Sequence, residues 1–298
     1  FPLTVTDFTV GDAGDRFDLL PWLNTLLTNW DHSINPFSTG HIRARQSGAD
    51  TIIEVDLDGG GNGYSNFAIL QNVTATTLTA FNIAGYKADG SVTPGQTING
   101  TPDIDELFGT TGNDIINGQG ELDIIHAGPG DDQITDMIGG DIIYGDGGND
   151  TVIIGSAVDG GEAHGGWGDD IITSSGPGLL YGDDGNDILT GGNVRSTLEG
   201  GLGFDTVTGG SAEDWILMSD ADWIDGGGGS DNIRFDLSQS SVGLSIDLTP
   251  LWTGGVVTVG AGSIRNVENP LDYIGSAFDD VFILGAGAPA NFRLIQGG

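Results

Sequence analysis

A nine-residue repeat constrains this chain more than any other feature of its sequence. Between residues 100 and 234 the pattern Gly-Gly-x-Gly-x-Asp-x-U-x recurs, where U is a large aliphatic residue. One match means little in a chain with 54 glycines among 298 residues, but several copies in nearly constant register are a strong signal. The clear copies begin at Gly109, Gly145, Gly165, Gly182, Gly200 and Gly226, and poorer copies begin at Gly118 and Ala127.

The nine positions divide into a turn and a short strand. The first six positions form a turn in which glycine accepts a positive φ and lets backbone carbonyls converge. The last three positions form a strand whose eighth position points inward. The spacing therefore predicts a stacked β core built from one column of aliphatic residues, which comprises Ile116, Ile125, Ile134, Ile143, Val152, Ile172, Leu189, Leu198, Val207, Ile216 and Ile233.

The charge balance requires a cation and excludes several classes of protein. Acidic residues outnumber basic ones 43 to 8, and the net charge of −35 excludes a nucleic-acid partner, which needs a basic face. The mutual repulsion of so many negative charges opposes folding unless a cation joins the folded state. A disordered acidic linker is rejected, because a linker would not keep an aliphatic residue at every ninth position. The chain has no cysteine for disulfides or thiolate zinc sites, and no run of 18 apolar residues that would span a membrane.

The carboxylate at position six lies in a turn rich in carbonyl oxygens, which is typical of a calcium site. Calcium accepts six to eight oxygen ligands at flexible geometry, whereas magnesium demands a tighter octahedron. The repeat resembles the calcium-binding nonapeptide repeats of the haemolysin-type RTX (repeat-in-toxin) family, which bacteria export by type I secretion. The resemblance covers about residues 100–234 and resumes near residue 275. It implies an all-β fold, a right-handed parallel β-roll with two nonapeptides per 18-residue coil and several calcium ions between stacked turns.

With an 18-residue coil, alternate repeats place their position-six residues along two rows. The first row has a glycine two residues before every aspartate, and it comprises Asp114, Asp132, Asp150, Asp170, Asp187 and Asp205. The second row often lacks that glycine, has a gap near Gly178, and otherwise comprises Asp105, Asp123, Asp141, Asp159, Ser196, Asp214 and Asp231. Because Ser196 offers no carboxylate, we predict continuous calcium sites along the first row and interrupted ones along the second.

The resemblance also implies the ligands. One turn would supply its aspartate and the carbonyls of positions two and four, and the next turn would supply its own aspartate. The metal ligands implied in this way are Thr110, Gly112, Asp114, Asp123, Gly128, Gly130, Asp132, Asp141, Asp146, Gly148, Asp150, Gly166, Gly168, Asp170, Asp183, Gly185, Asp187, Gly201, Gly203, Asp205, Gly227, Gly229 and Asp231.

An alternative is that the aspartates cap turns by hydrogen bonds without a metal, and it stays open for the second row. For the first row, stacked carboxylates without a counter-ion would repel each other by roughly a kcal/mol or more each at an effective dielectric constant near 20. This repulsion favours calcium.

Four segments are predicted along the chain. Residues 1–97 resemble the β-rich module found beside RTX repeats in large secreted bacterial proteins, with strands at 4–8 and 51–55 and helical spacing over 19–30. Residues 98–234 form the roll, 235–274 a strand-rich excursion, and 275–298 a resumed repeat. The sequence Asp56-x-Asp58 before a glycine run is either a further calcium loop or a plain hairpin turn.

No catalytic motif is found, and we expect no enzyme activity. The chain lacks His-Glu-x-x-His and Gly-x-Ser-x-Gly, and its paired acids already have repeat positions. Trp167, Trp215, Trp223 and Trp252 could mark a sugar-binding face, but scattered packing is the simpler interpretation.

The function expected from these observations is structural. We interpret the chain as a piece of a longer secreted protein that folds on calcium outside the cell, at a bacterial surface or in an adhesive or self-assembling material. Its expected partners are calcium, the type I secretion machinery during export, and further copies at the solenoid ends. The alternative is an accessory domain of a secreted protease or lipase whose catalytic domain lies outside this chain.

Overall fold

A computed structural model of the protein describes residues 2–11, 14–17, 27, 30, 34–79, 81–83, 86–91, 93–155, 160–219, 221–284 and 293–296. The regular secondary structure of the described residues is almost entirely β-strand, with short 3₁₀ turns at Ala75–Thr77, Phe81–Ile83 and Thr249–Thr253. None of their helices could cross a membrane. The helical spacing predicted over residues 19–30 lies outside the described residues, apart from Leu27 and Trp30.

The chain divides into two compact units. The first comprises Phe1–Ile98, Phe108–Ile116 and His126–Asp132, and the second comprises Asn99–Leu107, Asn117–Ile125 and Gln133–Gly298.

The first unit contains a four-stranded sheet of order β1-β4-β3-β2. Its strands are β1 Leu3–Val5, β2 Ile42–Ser47, β3 Asp50–Val55 and β4 Ser65–Leu70. Strands β2, β3 and β4 are antiparallel neighbours, and Gly48, with a φ of 66°, provides the positive φ of the two-residue turn between β2 and β3. The predicted strand at 51–55 is confirmed as part of β3. The strand predicted at 4–8 is confirmed only at residues 4 and 5, because β1 ends at Val5. The core includes Ile42, Ile53, Leu70 and Tyr86, all buried.

The repeats form two long sheets, here called the odd and even sheets after the strands that alternate between them. From residue 97 onward the strands are β5 Thr97–Asn99, β6 Glu106–Phe108, β7 Ile115–Asn117, β8 Ile124–His126, β9 Gln133–Asp136, β10 Ile142–Tyr144, β11 Thr151–Ile154, β12 Gly161–Trp167, β13 Ile171–Ser174, β14 Gly178–Asp184, β15 Ile188–Thr190, β16 Thr197–Glu199, β17 Thr206–Thr208, β18 Trp215–Met218, β19 Trp223–Asp225, β20 Asn232–Asp236, β21 Ser245–Asp247, β22 Val257–Val259, β23 Gly262–Arg265, β24 Asn269–Ile274, β25 Val281–Ile283 and β26 Arg293–Gln296.

Strand pairing shows that these sheets are the two walls of a parallel solenoid. From β9 to β20 each strand pairs with the one two places later, in parallel and in register. The odd sheet has the order β22-β23-β19-β17-β15-β13-β11-β9-β7-β5, and the even sheet has the order β26-β24-β20-β18-β16-β14-β12-β10-β8-β6. The predicted all-β fold with a parallel β-roll is confirmed.

The solenoid core is the predicted aliphatic column. All eleven predicted residues are buried, with at most 2% of their surface exposed. Full burial of one such side chain contributes about 1.5–3 kcal/mol relative to exposure, so the column is a main source of stability. The same column also contains Ala163, Leu180 and Ile224, which lie in coils that depart from the repeat motif.

Beyond β20 the chain still adds strands to both walls. Strand β23 pairs in parallel with β19, and β24 pairs in parallel with β20. Strand β22 is antiparallel to β23, while β21 and β25 form a separate two-stranded parallel sheet. The alternating apolar segments of the sequence supply the buried side chains here, among them Ile246, Val257 and Ile264.

Candidate metal centre

Each row is held together by one repeated hydrogen bond. The backbone N–H of a row residue donates to the carboxylate Oδ1 of the row residue one coil later. Along the first row the N–H···Oδ1 distances are 2.7 Å for Asp114 to Asp132, 2.7 Å for Asp150 to Asp170, 2.8 Å for Asp170 to Asp187, 2.9 Å for Asp187 to Asp205 and 3.3 Å for Asp205 to Asp222. Asp222 therefore extends the first row by one coil beyond the prediction.

The second carboxylate oxygen, Oδ2, separates the turns into two kinds. In open turns, Oδ2 is buried and has no hydrogen-bond partner. The described open turns are those of Asp123, Asp170, Asp187, Asp205, Asp214 and Asp231. In hydroxyl-capped turns, a serine or threonine donates its backbone N–H to Oδ2 and its hydroxyl to the same carboxylate. These turns are those of Asp105 with Thr101, Asp114 with Thr110, Asp222 with Ser219, and Asp280 with Ser276.

Backbone conformation at position two explains this division. In the open turns position two has a positive φ, which is 71° at Asp183 and 103° at Gly201, and its N–H makes no hydrogen bond to Oδ2. Glycine adopts this conformation freely, and Asp is among the side chains that best tolerate it. In the hydroxyl-capped turns the donor is a serine or threonine without a positive φ. At Asp105, Asp114 and Asp280 this donor occupies position two, whereas at Asp222 it is Ser219, three residues before the aspartate. A serine or threonine three or four residues before the aspartate thus decides whether the protein itself satisfies the buried oxygen.

Close stacking explains why position four is glycine along the first row. A Cβ atom on Gly185 would overlap the carbonyl oxygen of Gly168, and one on Gly203 would overlap that of Gly185. The position-four carbonyls therefore lie directly beneath the following turn, which leaves no room for a side chain.

Burial also changes the acidity of the open-turn carboxylates. Loss of solvent raises the pKa of Asp170 to about 8 and those of Asp187 and Asp205 to about 7, because the charged form is poorly solvated there. In the second row burial raises the pKa of Asp214 to about 6 and that of Asp231 to about 7.

The open turns fit a calcium ion. A buried carboxylate oxygen without a donor costs about 1–3 kcal/mol, or more when charged, and a cation would remove that cost. Carboxylate and carbonyl oxygens are also the ligands that calcium prefers. Where calcium is held, the row aspartates would supply the carboxylates and position-two and position-four residues of the same turns the carbonyls. Asp114 differs, because Thr110 already satisfies its Oδ2.

The predicted ligands lie in the turns to which the repeat assigns them. Each predicted carbonyl residue shares a turn with its row aspartate, as Gly201 and Gly203 do with Asp205, and Gly227 and Gly229 do with Asp231. The predicted ligands do not form a single metal centre. Successive coils place them one turn after another along the two rows.

The second row is interrupted in its middle. The strand register places Gly161, Gly178 and Ser196 in successive coils between Asp141 and Asp214. The predicted member Asp159 lies outside the described residues, and Gly161 occupies the row position of that coil. Within the described part of the chain the row extends to Glu268, whose Oε2 accepts the N–H of Asp231 at 2.9 Å. Sequence spacing missed Glu268 because 37 residues separate it from Asp231.

A third carboxylate joins the second row where Asp123 and Asp141 are neighbours. Asp136 takes the first position of its repeat, where most copies have glycine, and it lies with Asp123 and Asp141 in a cluster whose oxygens are within 4.8 Å of one another. Burial, followed by the charge of Asp141, raises the pKa of Asp136 to about 7. The sequence signal that could have identified this third carboxylate is Asp136 itself, which occupies the repeat position where glycine is usual.

The loop after Asp56 is a hairpin connection between β3 and β4. The Asp56 carboxylate accepts the N–H groups of Asn62 at 2.8 Å and Gly63 at 3.0 Å. The hydrogen bond from Gly63 is the largest cause that lowers the pKa of Asp56. Backbone amides thus stabilise this carboxylate within the turn.

Comparison with known families agrees with this geometry. Four copies of the RTX calcium-binding nonapeptide repeat match residues 99–134, 120–152, 195–217 and 218–237. No curated protein matches the chain. The unmatched residues 153–194 include the longer strands β12 and β14, although the parallel register continues through them. Its coils, its rows of aspartates and the four matching copies together show that the repeat region of this chain is built from RTX calcium-binding nonapeptide repeats.

Proposed function

We propose that this chain is a calcium-binding structural module of a secreted bacterial protein, which folds when calcium enters its open turns outside the cell. The observation that carries the proposal is the run of open turns at Asp170, Asp187 and Asp205, whose buried Oδ2 atoms have no donor. In calcium-poor cytoplasm these carboxylates would oppose folding, which suits export as an unfolded chain through a type I channel. Outside, metal-binding free energy becomes folding free energy.

An uncharged sheet face supports a surface, adhesive or self-assembling role. Strands β9, β11, β13, β15 and β17 of the odd sheet direct ten side chains outward, and none is charged. They are Gln133, Thr135, Thr151, Ile153, Ile171, Thr173, Ile188, Thr190, Thr206 and Thr208. In a chain of net charge −35, another surface or a second copy can approach this face without like-charge repulsion.

The proposal gives the chain no catalytic role. The paired acids at Asp169 and Asp170 have structural partners, since the Asp169 Oδ1 accepts the N–H of Asn186 and the Asp170 Oδ1 accepts the N–H of Asp150. Trp215 and Trp223 lie on different sheets, so the two do not form one sugar-binding face.

Far-ultraviolet circular dichroism tests calcium-driven folding directly. The full chain would be placed in EGTA and then titrated with calcium and, separately, with magnesium. We expect a cooperative coil-to-β transition with calcium that millimolar magnesium does not reproduce. A spectrum that is already β-rich in EGTA at pH 7.5 and unchanged by calcium would overturn the proposal and identify the aspartates as metal-free turn caps.

A further inference from the structure

The cluster of Asp123, Asp136 and Asp141 differs from the repeat sites in its ligand chemistry. All three side chains are at most 1% exposed. One oxygen from each lies within 4.8 Å of the others. Asp136 is neither a row residue nor one of the carbonyl donors that the repeat implies. The cluster therefore brings three carboxylates to one point.

Two of these carboxylates have an oxygen that the protein leaves unsatisfied. The Oδ2 atoms of Asp123 and Asp136 are buried without a hydrogen-bond partner. Their Oδ1 atoms are used, since that of Asp123 accepts the N–H of Asp105 at 2.8 Å and that of Asp136 accepts the N–H of Ile138 at 3.5 Å. The Oδ1 of Asp141 accepts the N–H of Asp123 at 3.0 Å. Among the described residues, no Lys, Arg or His forms an ion pair with any of the three.

The backbone makes room for the third carboxylate. A Cβ atom on Gly118, the first residue of the Asp123 repeat, would overlap the Oδ2 of Asp136 and would lie 3.0 Å from the Oδ2 of Asp123. The missing side chain at Gly118 therefore permits Asp136 to point into the cluster beside Asp123.

We propose that Asp123, Asp136 and Asp141 bind one divalent cation of the calcium class through three carboxylates, with Asp136 as a ligand outside the positions that the repeat implies. Two oxygens bound to the same calcium ion lie at most roughly 5 Å apart. The three oxygens of the cluster meet this limit, since they lie within 4.8 Å of one another. Two charges of the cation would face three carboxylates, so electrostatics favours binding. This inference rests on the proposed calcium binding of the roll, and it adds to the row aspartates Asp123 and Asp141 a third carboxylate that the nonapeptide pattern does not specify.

Counting bound ions tests the assignment. Native mass spectrometry of the calcium-loaded full chain would compare the wild type with Asp136→Asn, Asp123→Asn and the double variant. We expect each single variant to lose one calcium ion per chain and the double variant to lose the same single ion, because both residues hold it. Asp169→Asn is the matched control, since it removes one charge at an exposed carboxylate, and it should keep the wild-type number of ions.

The possible outcomes separate this site from the function of the roll. If the wild type binds calcium and Asp136→Asn keeps every ion, the three-carboxylate site is wrong, while calcium-driven folding stands. If the wild type binds no calcium, the proposed function itself fails. Asp136→Ala is a second variant in case the asparagine amide still ligates the ion, and circular dichroism in calcium confirms that each variant folds. If Asp136→Asn raised the thermal stability in metal-free buffer and left the ion count unchanged, the result would indicate that the carboxylates of the cluster share a proton and do not bind a cation.

Discussion

The middle of the first row and its two ends stabilise the same buried carboxylate in different ways. At the ends, Thr110 and Ser219 donate to the second oxygen of Asp114 and Asp222. In the middle, the turns of Asp170, Asp187 and Asp205 have positive-φ residues at position two and leave that oxygen without a donor. Strand pairing is the same in both regions. The difference shows that a single serine or threonine can satisfy in one turn the oxygen that is left without a donor in another.

The pH dependence of the metal-free protein should give the largest contrast between the two kinds of turn. Burial raises the pKa of Asp170 to about 8 and those of Asp187 and Asp205 to about 7, so the folded state holds protons that the unfolded chain releases near pH 4. The three protonated carboxylates therefore contribute fully to the stability of the folded state below about pH 4, and this contribution is lost as the pH rises to about 8. Circular dichroism in calcium-depleted buffer should show β structure decreasing over this interval. β structure that increases with pH would contradict the proposed role of the open turns.

Close stacking in the middle of the row can be broken at one glycine. Gly185→Ala adds a methyl group to a residue with a φ of 153°, directly against the Gly168 carbonyl oxygen. We expect a loss of about 3 kcal/mol from backbone strain and overlap together, measured by urea unfolding in saturating calcium. Gly228→Ala is the control, because its nearest neighbour would be 3.9 Å away, and it should change stability by less than about 0.5 kcal/mol. Equal losses for the two variants would refute the stacking argument.

A matched pair of carboxylate substitutions should separate open from hydroxyl-capped turns by the sign of their effect. In metal-free buffer at pH 7, Asp187→Asn removes the charge from a buried carboxylate whose Oδ2 has no donor, so it should raise the melting temperature. Asp114→Asn weakens the charge-assisted hydrogen bonds from Thr110, so it should lower the melting temperature. Each substitution should change the free energy of unfolding by about 2 kcal/mol. In saturating calcium, Asp187→Asn should instead destabilise the protein.

The exposed substitution Asp169→Asn again serves as the control for the loss of one charge. Calorimetry with and without calcium measures all three variants. The same sign for Asp187→Asn and Asp114→Asn in metal-free buffer would remove the distinction between the two kinds of turn.

The smallest expected effect concerns the cap itself. Thr110→Val keeps the shape of the side chain and removes the hydroxyl group that donates to Asp114. Since the backbone N–H of residue 110 still donates, the loss should be only about 1 kcal/mol, both with and without calcium. Chemical unfolding under the two conditions measures it, and a loss confined to the calcium-loaded protein would show that Thr110 acts through a bound ion.

Much of the fold follows from the sequence because the repeat specifies both the strand and the buried position. The aliphatic column was predicted from Ile116 to Ile233 with every member buried. Ala163 and Leu180 were missed because their coils have seven-residue strands in place of the nonapeptide turn. The interruption around Ser196 was predicted because serine has no carboxylate. The gap near Gly178 was predicted as well, whereas its extension to Gly161 depends on strand register, which the irregular spacing hides.

The site was harder to predict because the repeat specifies positions, whereas hydrogen bonding depends on backbone conformation. Asp222 lacks the preceding glycine of its row, and Glu268 is displaced by the strands β21 and β22. The position-two serine or threonine that distinguishes hydroxyl-capped turns is visible in the sequence at Thr101, Thr110 and Ser276. Its meaning emerges only when its N–H is seen to donate to the carboxylate.

The repeated hydrogen bond between row residues gives a stack of such coils a direction. The N–H groups of Asp170 and Asp187 donate to the coil that follows in sequence, and the Oδ1 atoms of Asp187 and Asp205 accept from the coil before. One end of any such stack therefore offers acceptors and the other offers donors. Two stacks can continue each other's rows only head to tail, so a filament made in this way would be polar, with chemically distinct growing ends.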